Sequence, residues 1–120
     1  MKELLHKGEP VQFRSSGRSL APLVFSGDVC FIWPILRGKT IIEAGDIVFC
    51  EVQPKNLFYC HLVWKKGFYE TQLGVQKEYY VIGNNKEGEK MRMNGWCYLE
   101  HIYGILVKTQ RGQYYRPHYG

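Results

Sequence analysis

The chain is 120 residues long, a length typical of one domain, and 45% of its residues are hydrophobic. It carries 16 Lys and Arg residues against 11 Asp and Glu residues, which gives a net charge of +5. No run approaches the roughly 20 apolar residues that a membrane-spanning helix needs, and the N-terminus lacks the continuous apolar stretch of a signal peptide. We therefore expect one soluble, cytoplasmic domain over residues 1–120.

The four cysteines form no Cys-x-x-Cys pair, and three of them lie in apolar runs. Isolated cysteines in apolar runs are typical of small buried side chains in a reducing compartment. Metal binding or disulfide formation is the alternative interpretation. The pattern favours free thiols and no metal site.

Positive charge is concentrated near the C-terminal end, where no acidic residue follows Glu100. The segment 113–119 is basic and aromatic, a composition found in segments that bind nucleic acid. Such a segment can equally be solvated or pack its tyrosines on the domain. Because the charge excess is small, charge alone does not favour nucleic acid as a partner.

Short runs rich in β-branched and aromatic residues alternate with turn residues along the chain. After ten residues that form at most a short helix, the predicted strands are 11–14, 28–35, 47–52, 57–65, 68–71, 79–82 and 102–109. Lys66 and Gly67 are interpreted as a hairpin turn between the fourth and fifth of these strands. This strand spacing, with almost no helical periodicity, predicts an all-β, mainly antiparallel fold with a closed or half-open sheet.

The only two aspartates in the chain each follow a glycine and open an apolar run, at Gly27-Asp28 and Gly45-Asp46. Glycine tolerates a positive φ, and an aspartate side chain accepts hydrogen bonds from its own local backbone. Both pairs are therefore predicted to form structural turns at strand entries.

Ser19 and His61 are the candidate catalytic residues. Ser19 lies in a turn-rich segment three residues before Pro22, where it can cap a single helical turn and expose its hydroxyl and nearby N–H groups. His61 lies inside a predicted strand. A serine on a tight turn with a downstream base in a strand is typical of a hydrolytic nucleophile and its proton acceptor.

Each of these residues also has a structural interpretation. Ser19 can be an ordinary turn serine, since other serines lie nearby. His61 can be a strand histidine packed among aromatic side chains, and Lys65 and Lys66 are rival bases. An imidazole accepts a proton near neutral pH without the desolvation that a lysine needs, which favours the histidine.

The order of these motifs resembles that of the signal-peptidase and LexA-type superfamily of serine peptidases. The first family box reads roughly Gly-x-Ser-Met-x-Pro-x-Leu-x-x-Gly-Asp, and the second reads Gly-Asp-Ile-Val. The second box is matched by residues 45–48, and a late box looks like residues 83–85. The first box is matched, with Leu20 in place of methionine, by Gly17, Ser19, Pro22, Gly27 and Asp28.

The resemblance implies a compact, half-open, barrel-like sheet of the family type. It implies Ser19 as nucleophile and His61 as general base, with Gly17 and Leu20 at the oxyanion hole and substrate cleft. The base is lysine in bacterial signal peptidases and histidine in the endoplasmic-reticulum type. No metal or organic cofactor is expected.

In the histidine-bearing branch, an aspartate near the late box resembles the third catalytic member. Asn84 stands at that position in this chain, so the resemblance implies Asn84 or Asn85 as the residue that orients the imidazole. A glutamate, Glu87 or Glu89, is an alternative third member, and a dyad without one is another.

We therefore expect a serine peptidase that cleaves a protein substrate in trans. The first alternative is a catalytically inactive member of the same fold that acts as a protein-binding regulator. A basic nucleic-acid-binding β-barrel is a third interpretation, which depends only on charge and aromatic content. No membrane partner is expected.

Overall fold

Seven strands form a single antiparallel sheet in a computed structural model that describes residues 1–36 and 38–111. A short helix, α1 (Lys2–His6), precedes them, and two 3-10 helices lie at Gly88–Lys90 and Leu99–His101. The strands are β1 (Val11–Arg14), β2 (Val29–Pro34), β3 (Ile47–Val52), β4 (Leu57–Glu70), β5 (Gln76–Gly83), β6 (Met93–Tyr98) and β7 (Ile102–Thr109). Their order in the sheet is β1-β2-β7-β3-β4-β5-β6. The all-β, mainly antiparallel class predicted from the sequence is confirmed.

The sheet curls at one end and stays open at the other. β1 and β6 are its two edge strands. Just beyond β3, Gln53 exchanges two backbone hydrogen bonds with Trp96 of β6, at 2.8 and 3.3 Å. Gly95 permits this approach, because it has φ +149° and a Cβ atom there would overlap the Gln53 carbonyl oxygen. The result is a half-open, barrel-like sheet.

Two hydrophobic cores lie against this sheet. The larger one is formed by buried side chains of β3 to β7, including Val48, Val63 and Ile82. The smaller one joins α1 and the turn after β1 to the sheet through Leu5, Leu20, Val24, Cys30, Ile32, Ile47 and Leu106. Because Leu20 follows Ser19 directly, the second core fixes the turn that carries the candidate nucleophile.

The predicted hairpin at Lys66 and Gly67 is wrong. β4 continues through both residues to Glu70 and pairs with β5 along that length, and the reversal lies at residues 71–75. Gly67 serves packing instead of a turn, since a Cβ atom there would overlap the ring of Tyr79 on the neighbouring strand.

Strand β6 was not among the predicted strands, because its asparagine and glycine make it look like part of a polar loop. The segment 113–119, for which nucleic-acid binding was one of the alternative interpretations, lies outside the described residues. Within the described ranges, no helix combines the length and the apolar character needed to cross a membrane.

Candidate active site

Ser19 and His61 lie within hydrogen-bonding distance of each other. Ser19 is in the turn between β1 and β2, and His61 is near the middle of β4. The distance from Ser19 Oγ to His61 Nε2 is 3.0 Å, and the pair is partly buried. This separation allows direct proton transfer from the hydroxyl to the imidazole.

The second ring nitrogen of His61 contacts an asparagine. His61 Nδ1 is 2.5 Å from Oδ1 of Asn94. A carbonyl oxygen only accepts hydrogen bonds, so Nδ1 carries the hydrogen and Nε2 presents its lone pair to the Ser19 hydroxyl. The three side chains therefore form a continuous Ser-His-Asn hydrogen-bonded chain.

Asn94 reaches the imidazole because it occupies a β-bulge. Ile82 pairs with Gly95 and Gly83 pairs with Met93, which leaves Asn94 as the extra residue of β6. A bulge bends its strand and redirects a side chain out of the regular alternation. A period-two pattern does not reveal such a position, although a glycine inside a strand, here Gly95, is a known sign of one.

The predicted orienting residues Asn84 and Asn85 have other partners. The Asn84 side chain is buried and bonds the backbone of Lys90 and Arg92, at 2.9 and 3.0 Å, which closes the loop before β6. Its position in the predicted constellation is taken by Asn94. The alternative carboxylates, Glu87 and Glu89, are exposed.

Asn85 instead anchors the turn that carries Ser19. Its backbone N–H donates to the Ser19 carbonyl oxygen at 2.7 Å, and its side-chain Nδ2 donates to the Ala21 carbonyl oxygen at 3.1 Å. These two bonds tie the turn to the loop that follows β5. Asn85 thus contributes to the geometry of the serine and not to the orientation of the histidine.

Gly17 and Leu20 line a cleft of about 280 Å³ that also contains Ser19 and His61. Gly17 has φ +84°, which gives the chain its reversal two residues before the serine. Within the described part of the chain, the backbone N–H groups of Ser19 and Leu20 donate no hydrogen bond. Both residues line the cleft, so these two N–H groups are the candidates for an oxyanion hole.

The walls of this cleft combine apolar side chains with polar ones such as Arg14, Ser15 and Ser16, and one rim is aromatic. Tyr59 lies on the same strand face as His61, and their rings stack with centroids 5.1 Å apart. The stack restricts rotation of the imidazole away from Ser19. The apolar lining is supplied by Leu20, Val24, Cys30, Ile47 and Leu106.

Two cysteines, Cys30 and Cys60, also line the cleft. Burial raises the pKa of both thiols above the ordinary cysteine value. A thiol is a strong nucleophile only as a thiolate. Ser19, which has a base at 3.0 Å, is therefore the better nucleophile candidate in this cleft.

The prediction that both Gly-Asp pairs form structural turns is confirmed. Asp28 Oδ2 accepts a hydrogen bond from the Phe25 N–H at 2.9 Å, and Asp46 Oδ2 accepts one from the Glu43 N–H at 2.8 Å. In each case the carboxylate closes the turn three residues back, immediately before a strand.

Asp28 has a second role, because it joins this turn to the end of β7. Its carboxylate accepts from Arg111 at 2.8 Å and from Gln110 at 3.4 Å, and the guanidinium of Arg111 lies over the ring of Phe25. The hydrogen bond from the Phe25 N–H lowers the pKa of Asp28, burial opposes this effect, and Arg111 lowers the pKa further.

Comparisons with protein-family models, with curated proteins and with solved structures found no match to this chain.

Proposed function

We propose that the chain is a serine peptidase that cleaves a protein substrate in trans, with Ser19 as nucleophile and His61 as general base. The observation that carries this proposal is the hydrogen-bonded series from Ser19 Oγ through His61 to Asn94 Oδ1, at 3.0 and 2.5 Å. It lies in an open cleft beside unpaired backbone N–H groups. A nucleophile, a base and a residue that orients the base are the three parts that acyl transfer needs.

In the proposed reaction, His61 Nε2 removes the Ser19 proton as Oγ forms a bond to the substrate carbonyl carbon. The N–H groups of Ser19 and Leu20 stabilise the negative charge on the carbonyl oxygen. The imidazolium then donates its proton to the amine nitrogen, the C–N bond breaks, and an ester to Ser19 remains. Water, deprotonated by His61, hydrolyses this ester and regenerates the serine.

Asn94 holds the imidazole in the tautomer that this sequence of steps requires. Unlike a carboxylate, its amide brings no negative charge to stabilise the imidazolium. We therefore expect slower turnover than in a site with aspartate at this position. The mechanism uses no metal or organic cofactor.

Membership of the signal-peptidase and LexA-type superfamily is part of the proposal. It is supported by the order of the sequence boxes and by the all-β, half-open sheet. A cytoplasmic location is supported by the four free thiols, which persist in a reducing compartment.

A second candidate function is a non-catalytic, protein-binding regulator with the same fold. The observation in its favour is the neutral Asn94 in place of a carboxylate. In this reading the cleft binds a peptide segment and the hydroxyl of Ser19 only contributes a hydrogen bond.

A serine-directed fluorophosphonate probe separates the two functions. We expect one label per folded chain, located at Ser19 by mass spectrometry, and no label after Ser19→Ala or His61→Ala. Ser26→Ala is the matched control, because Ser26 is an exposed serine of the same loop and does not line the cleft. If the wild type is labelled no faster than the Ser19→Ala variant, the result would support the non-catalytic regulator and contradict the proposed peptidase.

The pH profile of labelling identifies the base. The neutral form of the base is the active one, so labelling by a histidine base rises once in the neutral range and then stays level. A rise confined to alkaline pH would contradict His61 as the base; Lys65 and Lys66, the rival bases suggested by the sequence, do not line the cleft. An incubation of the active chain with a peptide library, analysed by mass spectrometry, then tests cleavage in trans.

A further inference from the structure

Four aromatic side chains form an open platform on the outer strands of the sheet. Tyr69 of β4, Tyr79 of β5, and Trp96 and Tyr98 of β6 surround a shallow depression of about 300 Å³. The rings of Trp96 and Tyr98 are 5.1 Å apart, and those of Tyr69 and Tyr98 are 5.8 Å apart. We call these four residues the aromatic platform.

Strand register explains why the platform is continuous. Gly67 of β4 pairs with Tyr79, and Tyr79 pairs with Tyr98, so all three lie on one face of the sheet. The Tyr79 ring lies directly over Gly67, where any Cβ atom would overlap it. A ring that covers a glycine in this way lies flat on the sheet and turns its other face outward.

The same register places two of the three lysines of β4 and β5 on the platform face. Lys65 pairs with Val81 and Lys77 pairs with Tyr69, which places both lysines on the platform face. The acidic residues of these two strands, Glu70 and Glu78, lie at alternate positions on the opposite face. The aromatic face of these two strands therefore carries Lys65 and Lys77 and neither glutamate, whereas Lys66 lies with Glu70 and Glu78 on the opposite face.

One of the two lysines lies directly over a platform ring. Lys77 Nζ lies 4.0 Å from the centroid of the Tyr98 ring and pairs with Glu100 at the platform edge, at 3.0 Å. Lys65 is exposed and forms no ion pair with the described residues. Trp96 and Tyr69 each keep 37% of their surface exposed, so the platform is accessible to a ligand.

We propose that the aromatic platform is a binding site for single-stranded nucleic acid, separate from the Ser19 cleft. Exposed aromatic rings stack unpaired bases, and neighbouring lysines contact the phosphates between them. A duplex keeps its bases stacked within itself and offers none to the platform. Proline-rich peptides also dock on aromatic surfaces, but they do not use the two lysines.

Fluorescence anisotropy of a labelled oligothymidylate with the full chain tests the proposal. Two phosphate contacts predict a slope of about −1.4 in log K against log salt, which is a loss of about sevenfold in affinity between about 50 and 200 mM salt. Trp96→Ala is expected to weaken binding about tenfold, the effect of losing one stacked base. Trp96→Phe keeps a ring and should retain most of the affinity.

The chain offers matched controls for both interactions. Trp33 of β2 is 40% exposed and lies outside the platform, so Trp33→Ala should leave binding unchanged. Lys66 follows Lys65 directly but lies on the opposite face, paired with Glu78. Lys65→Gln should therefore reduce both affinity and salt slope, whereas Lys66→Gln should change neither.

Several results would overturn the proposal. One is equal loss of binding in Lys65→Gln and Lys66→Gln, which would indicate non-specific attraction to the net charge. Others are equal affinity for the matching duplex, unchanged binding by Trp96→Ala, or displacement of the oligonucleotide by a proline-rich peptide at lower concentration. Ser19→Ala should bind as the wild type does, so this test is independent of the proposed peptidase activity.

Discussion

Replacing Asp28 with alanine removes the carboxylate that joins the turn after Ser19 to the end of β7. The side chain of Asp28 is 8% exposed and that of Arg111 is 37% exposed. Loss of the turn hydrogen bond costs about 1 kcal/mol, and an ion pair that is exposed on its arginine side adds about 0.2–1 kcal/mol. We therefore expect Asp28→Ala to lower the free energy of unfolding by about 1–2 kcal/mol at neutral pH.

The effect should depend on pH in a defined direction. The pKa of Asp28 is lowered in the folded chain, so the unfolded chain takes up a proton first as the pH falls. The stabilisation is fully present above the ordinary aspartate value of about 3.9. It is lost as the pH falls through the lower value of the folded state. The difference between wild type and Asp28→Ala should therefore shrink in acid.

Urea unfolding followed by tryptophan fluorescence, from neutral pH to about pH 3, measures this effect. A double-mutant cycle of Asp28→Ala with Arg111→Gln should give a coupling energy of about 0.5 kcal/mol. Lys108→Gln is the matched control, since it also removes a cation near an aromatic ring but does not contact Asp28. Full additivity, or a difference that stays constant down to about pH 3, would refute the reasoning.

Three further predictions concern the site and its support. Asn94→Ala should slow probe labelling about fivefold, which corresponds to the free energy of one hydrogen bond, about 1 kcal/mol. Asn94→Asp should move the pH profile of labelling to higher pH, because a carboxylate favours the charged imidazolium. Asn85→Ala should slow labelling through the turn of residues 17–24 and leave the shape of the pH profile unchanged. Gly95→Ala should lower the free energy of unfolding by more than about 3 kcal/mol, whereas Gly88→Ala, at φ +60° in open space, should cost about 1 kcal/mol; equal costs would contradict the role of the close approach.

The fold class could be predicted because most strands carry their own pattern. Residues 11–14, 47–52 and 102–109 combine apolar or aromatic side chains with turn residues at both ends, and the observed strands have those bounds. The errors occurred at glycines. Gly67 was interpreted as a turn residue, and the strand that contains Gly95 was not predicted. Each glycine makes room for a neighbouring strand, and only the three-dimensional arrangement shows that neighbour.

The candidate site was predictable in the same uneven way. A loop serine and a strand histidine can each be recognised from local sequence. That Ser19 and His61 lie close together was expected only from the order of the family motifs. The contact of His61 with Asn94 was not predictable, because it depends on one unpaired residue in a strand that local pattern did not reveal. Asn84 and Asn85 match the family box, but their amides bond the backbone instead.

Strand β7 comes last of the seven along the chain, yet it lies in the interior of the sheet between β2 and β3. During synthesis, β2 and β3 therefore leave the ribosome before β7, and the backbone groups on the edges that will face β7 stay unpaired until that strand is made. Bare edges recruit strands from other chains. We expect nascent chains that stall before residue 102 to bind chaperones or aggregate, and both hydrophobic cores to close only when the final strand inserts.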